Sequence, residues 1–150
     1  MNQNTRFLSA VRPLYQKMGL EPPTDERPEQ PASCVFQVDE GVTVALLGHQ
    51  EGYLIAVAEV DAAVDIGDSR RLLPLLAANR FTAQHPPLIG SVDPESGTLS
   101  LWARQALEEL DDAGLASLFE RLAEAATGVR AWLASPMDAP SAWPMDRLSA

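Results

Sequence analysis

A chain of 150 residues, 46% of them hydrophobic, carries enough apolar material for one self-sufficient core and fits a single domain. Its 21 acidic residues outweigh 11 basic ones, and the net charge of −10 disfavours a nucleic-acid or anionic-membrane partner. A single cysteine excludes an internal disulfide, and no stretch reaches the roughly 20 apolar residues of a membrane helix, so the chain reads as cytoplasmic.

From Thr5 to Gly19 the residues Phe7, Leu8, Val11, Leu14, Tyr15 and Met18 recur at intervals of three and four, which predicts an amphipathic first helix. Pro13 lies inside it, removes a backbone donor and crowds the preceding turn, so a bend or break near Ser9 to Arg12 is expected. Gly19 is placed to end the helix. The stretch from Glu21 to Pro31 holds four prolines and no large apolar side chain, and reads as an exposed extended connector.

Three apolar runs follow, Cys34 to Val38, Val42 to Leu47 and Tyr53 to Val60, and the short gaps between them predict an antiparallel meander. Val42, Val44 and Leu46 alternate with Thr43, Ala45 and Leu47, while Tyr53, Ile55 and Val57 alternate with Leu54, Ala56 and Ala58. Both faces therefore carry apolar groups: one is core, and the other has to be covered by a helix or a partner.

After the turn Asp65 to Ser69, in which Asp68 or Ser69 can cap a helix, the run Arg70 to Arg80 predicts a short second helix, apolar around much of its girth. Pro74 is read as lying near its start, and such a helix has to be enclosed by the sheet or by a second subunit. Pro86 to Val92 and Thr98 to Trp102 flank Asp93-Pro94-Glu95-Ser96-Gly97 and form a second hairpin. Asp111 and Asp112 open a last helix whose stripe is Leu115, Leu118, Phe119, Leu122, Ala126, Val129 and Leu133. Past Ser135 the chain has three prolines and little periodicity, so residues 135–150 are expected to form a disordered tail, with Trp143 as its candidate anchor, behind a domain spanning 1–134. The fold class is α+β: an antiparallel twisted sheet with three helices in the order α-β-β-β-α-β-β-α.

Chemistry is not visible in this pattern. His49 and His85 stand at no metal-ligand spacing from each other or from Cys34, and Cys34 sits in an apolar run where it reads as a small buried hydrophobe. Glu108-Glu109 and Asp111-Asp112 flank a helix start, where carboxylates favour the helix dipole. Gly90 and Gly97 form no phosphate-binding loop, and the serines lack a nucleophile-elbow context. No catalytic residue, cofactor or metal is expected.

The segment Leu72-Leu73-Pro74-Leu75-Leu76-Ala77-Ala78-Asn79-Arg80-Phe81, the hairpin Leu88 to Leu101, and Leu107-Glu108-Glu109-Leu110-Asp111 with the helix bearing Leu115, Leu118, Phe119, Leu122 and Trp132 follow one another in a telling order. In that order they resemble the second half of the class I type III secretion chaperones, the CesT/Tir-chaperone-like family, and the size, acidity and first half agree. The resemblance implies a non-catalytic bacterial homodimer. Such a dimer binds the extended N-terminal region of type III effectors, keeps it secretion-competent and helps deliver it to the export apparatus, with the export ATPase as a further partner.

Under that reading Phe7, Leu8, Val11, Tyr15, Val35, Phe36, Val44, Leu46, Ile55 and Val57 are the candidates for effector binding. Periodicity leaves open which of them face the client, and at least half are assigned to the core. Leu72, Leu73, Leu75, Leu76, Phe81, Leu88 and Ile89 are the candidates for the dimer interface. The alternative is a dimeric α+β regulatory or antitoxin-like module that binds a folded partner; a small-ligand protein using an open sheet face as its pocket is a further rival.

Overall fold

The computed structural model describes residues 2–24, 29–79 and 83–136. The elements are α1 (Gln3–Lys17), β1 (Ser33–Asp39), β2 (Val42–Leu47), β3 (Tyr53–Ala63), α2 (Ser69–Ala78), β4 (Ile89–Val92), β5 (Thr98–Ala106) and α3 (Asp112–Ala134). A single 3₁₀ turn, Leu107–Glu109, precedes α3. The three helices and five strands occur in the order that the hydrophobic pattern predicts.

All five strands form one antiparallel sheet in the order β1-β2-β3-β5-β4. After β3 the chain crosses through α2 to the edge strand β4, and the hairpin brings β5 back beside β3. Strand alternation sorts the side chains: Cys34, Phe36, Val44, Leu46, Leu54, Ala56, Ala58, Leu99, Leu101 and Ala103 point to one face and are buried. On that face α3 lays Leu115, Leu118, Leu122, Ala126 and Val129, and α1 adds Phe7, Val11 and Leu14. Tyr15, Phe36 and Phe119 join α1, β1 and α3, with ring centroids 5.0 Å apart for the first pair and 5.3 Å for the second. Fully burying each such side chain is worth roughly 1.5–3 kcal/mol, so this layer is the main source of stability.

α1 begins at Asn2, whose side chain accepts from the Thr5 amide, and closes on Gly19 at φ 69°. There the Leu20 amide donates to the Tyr15 carbonyl and the Gly19 amide to that of Gln16, the paired bonds of a left-handed glycine stop. The break expected before Pro13 does not occur: α1 runs through it from Gln3 to Lys17. Pro13 removes a single donor, and the buried Val11 and Leu14 anchor the helix on both sides of it. Pro74 likewise sits in the interior of α2, the sixth of its ten residues, and not near its start.

α2 is held at both ends by polar contacts. Asp68 caps its start by accepting from the Arg70 amide, and Arg71 donates to the carbonyls of Trp132 (2.8 Å) and Ser135 (2.6 Å) at the end of α3. At its other end Asn79 donates to the Gly90 carbonyl and accepts from the Gly90 amide, both at 2.7 Å, which docks the helix on β4. α1, α2 and α3 thus lie on the same face of the sheet.

Candidate functional site

The second face of the sheet carries no helix among the described residues. Its residues are read directly from the register. Val35 pairs with Ala45, Ala45 with Val57, Val57 with Trp102, and Trp102 with Ile89, so one apolar row crosses all five strands. Beside it Leu47 pairs with Ile55 and Ile55 with Arg104. On the other side the row Gln37, Thr43, Glu59, Ser100, Ser91 is polar. Val35 is 65% exposed, and Ala45, Leu47, Ile55, Val57, Ile89 and Trp102 are half-buried. An apolar row of this length with a polar border has the form of a docking surface.

A second apolar surface lies on the outer side of α2. Leu73 and Leu76 are 62% and 60% exposed, and Leu72 is half-buried beside them. Among the described residues the other large exposed hydrophobics are Met18, Leu20 and Ile66, which lie in the segments that follow α1 and β3.

The residues singled out for effector binding divide between the two sides of the sheet. Phe7, Val11, Phe36, Val44 and Leu46 are buried in the core, because strand parity and the α1 stripe turn them toward α3. Leu8 and Tyr15 are half-buried at the flank of that core. Val35, Ile55 and Val57 stand on the open face. Of the residues assigned to a dimer interface, Leu75 and Leu88 are buried within this chain, Leu72, Leu73 and Leu76 form the outer side of α2, and Ile89 ends the open-face row. Phe81, and the tail from 137 onward with Trp143, lie outside the described residues.

Trp102, Ala45 and Leu47 complete the open face and were not selected from the sequence. The signal was present for Trp102: it alternates with Leu99, Leu101 and Ala103, the inward side chains of β5.

Among the described residues the polar groups assemble no reaction centre. Cys34 is buried, and burial pushes its thiol up in pKa, an effect that a hydrogen bond with Tyr15 partly offsets. Burial also raises the Tyr15 phenol well above its ordinary value, with the Cys34 contact adding to it. Both groups therefore stay protonated at neutral pH, which does not suit a nucleophilic thiol. His85 is exposed, with Nε2 3.8 Å from Glu109 Oε2, and His49 is exposed in the β2–β3 turn. Among the described residues no group of three His, Cys, Asp or Glu side chains is placed to hold a metal ion, and no helix is long and apolar enough to cross a membrane.

The model of the Tir chaperone protein (CesT) family matches residues 9–130. A chain of the ExoT–SpcS complex from Pseudomonas aeruginosa is 28% identical, with 85% of this chain and 97% of that one covered and a TM-score of 0.62. A chain from the complex of the Yersinia pestis type III secretion chaperone SycH with a fragment of YscM2 is 20% identical, covering 85% and 99%, with a TM-score of 0.62. A chain of the ExsC–ExsE complex is 23% identical, covering 90% and 100%, with a TM-score of 0.68. The latter two likenesses speak to the fold alone. No curated protein matches the chain.

Proposed function

The chain belongs to the Tir chaperone protein (CesT) family, and from that premise we propose that it is a non-catalytic secretion chaperone of the bacterial cytoplasm, acting through residues 1–134. It binds the extended N-terminal region of type III effectors, keeps that region secretion-competent and helps deliver it to the export apparatus, where the export ATPase is a further partner. The similarity to a chain of the ExoT–SpcS complex supports this reading.

The observation that carries it is the row Val35, Ala45, Val57, Trp102, Ile89, an apolar surface across five strands with no described helix upon it. An extended client can set alternate apolar side chains against such a surface, with β1 as the outer strand of the sheet beside it. Val35, Ile55 and Val57 remain effector-binding candidates, joined by Trp102, and Leu8 and Tyr15 extend the set at the α1 flank. The buried Phe7, Val11, Phe36, Val44 and Leu46 support the face from beneath.

The functional unit is a homodimer in this reading. Leu72, Leu73 and Leu76 on the outer side of α2 supply the surface that a second copy covers. The high acidity keeps a protein with so much apolar surface soluble. A purified effector N-terminal segment is expected to bind the chain without nucleotide and to remain protease-sensitive between its contact points. A client that acquires a compact, fully protected fold on binding would contradict the proposal.

A further inference from the structure

The open face is electrically lopsided. Along β3 its residues run Tyr53, Ile55, Val57 and Glu59, passing from apolar to acidic as the strand nears the bulge between Val60 and Ala63. At that bulge Glu59 and Asp61 line a surface depression of about 460 Å³ together with Gln37, Thr43 and Thr98. Both carboxylates are exposed, and neither takes part in an ion pair among the described residues. The Gln37 amide donates to the carbonyl of Asp39 (2.6 Å), Thr43 donates to Gln37 Oε1 (3.4 Å), and Thr98 Oγ1 accepts from the Ser96 hydroxyl (2.8 Å), so the neutral polar side chains of the depression already have partners. At the opposite border of the apolar rows stands Arg104, stacked on the Tyr53 ring at 4.7 Å.

Building on the proposed client-binding role of this face, we propose that its occupant is an extended peptide segment that places an Arg or Lys in the Glu59–Asp61 depression. The same segment sets apolar side chains on the Val57–Trp102 row. Glu59 follows Val57 by two residues on the same side of β3, a separation of about 7 Å that an extended peptide covers in two residues. The client therefore carries its cation two residues from an apolar anchor, on the same side of the chain. Arg104 at the other border disfavours a second cation there and sets the direction in which the client lies. Two exposed carboxylates acting on one cation in a wet depression contribute modestly to affinity and strongly to register.

The test uses the full chain and short acetylated, amidated peptides with Leu or Val at alternate positions. One of those positions is changed to Arg, to its neutral isostere citrulline, or to Glu. The Arg peptide is expected to bind about 3–10-fold more tightly than the citrulline peptide at low salt, and the gap should shrink as salt rises. Glu59→Gln with Asp61→Asn removes that preference; Glu108→Gln with Glu124→Gln, the same charge loss elsewhere, keeps it. Equal binding of the Arg and citrulline peptides overturns the cation seat while the apolar face still stands as a binding site. Failure of every peptide to bind overturns the open-face reading, and this inference with it. A change of oligomeric mass in the Glu59→Gln, Asp61→Asn variant, with no change in peptide preference, assigns the face to a second copy of the chain and likewise overturns it.

Discussion

Val57 on β3 stands directly opposite Trp102 on β5, on the side of the sheet that no described helix covers. Cross-strand pairs of an aromatic with a β-branched residue are worth only about 0.2–1 kcal/mol to a sheet, whereas a Trp at the centre of an interface often contributes far more to binding. Trp102→Ala is therefore expected to weaken binding of an effector N-terminal segment about 30-fold or more while costing the fold about 1 kcal/mol or less. Titration calorimetry beside a urea melt separates the two quantities. Unchanged affinity would remove Trp102 from the client surface.

Phe7 and Val35 were indistinguishable as apolar candidates, yet Phe7 is wholly buried and Val35 is 65% exposed. Phe7→Ala is expected to destabilise the fold by about 3–5 kcal/mol. Val35→Ala should change stability by no more than about 0.5 kcal/mol and reduce client affinity. Urea unfolding of the two variants checks the division; equal losses of stability contradict it.

That pair shows where the sequence stopped. Element order was readable because gaps, glycines and the α3 stripe mark it, and Gly19 and Asp111 do what their residue types suggest. The side of the meander was not readable, because Val44 and Ala45, or Leu46 and Leu47, offer apolar groups in both directions. The second half of β5 was missed because Arg104 and Gln105 look like loop residues, although the first lies on the open face and the second is buried. Asn4 is illegible for the opposite reason. It is a polar residue buried in α1, accepting from the Ala32 amide and donating to the Gln30 carbonyl, and it ties the connector to the helix.

Leu73 and Leu76 give the dimer proposal its own test. Their exposure means that Leu73→Asp with Leu76→Asp should leave the protomer folded, with little change in its far-ultraviolet dichroism. Light scattering at micromolar concentration is expected to fall from dimer mass to monomer mass. A monomer mass for the unaltered chain would exclude this use of α2.

Arg71 bridges α2 to the end of α3 with two charge-assisted hydrogen bonds, and its guanidinium lies 4.7 Å from the Trp132 ring. Arg71→Ala is expected to cost about 1–3 kcal/mol and to raise amide exchange in α2 before it does so in the sheet. Arg71→Lys keeps the charge but not the fork, and should recover only part of the loss. Uniform exchange in all elements would show that the bridge does not hold α2 specifically.

Cys34 supplies a prediction in pH. Its folded pKa is raised, so the folded chain holds its proton over a range in which the unfolded chain has released it. The associated stability is complete below about pH 8.5, the ordinary thiol value, and declines as pH rises through the folded pKa. Tyr15 shifts in the same direction and adds a further decline above about pH 10. Thermal melts from neutral to alkaline pH should fall, and Cys34→Ala should flatten the first part of that fall. An alkaline limb identical in Cys34→Ala would assign it to other groups.

Methyl and indole NMR of the labelled chain, titrated with an unlabelled effector N-terminal segment, tests the central claim most directly. The open-face reading predicts the largest shifts at Val35, Ile55, Val57 and the Trp102 indole, with the buried Leu118 and Leu122 of α3 little changed. Shifts confined to α3 and the core, with Val57 and Trp102 unmoved at saturation, would contradict it.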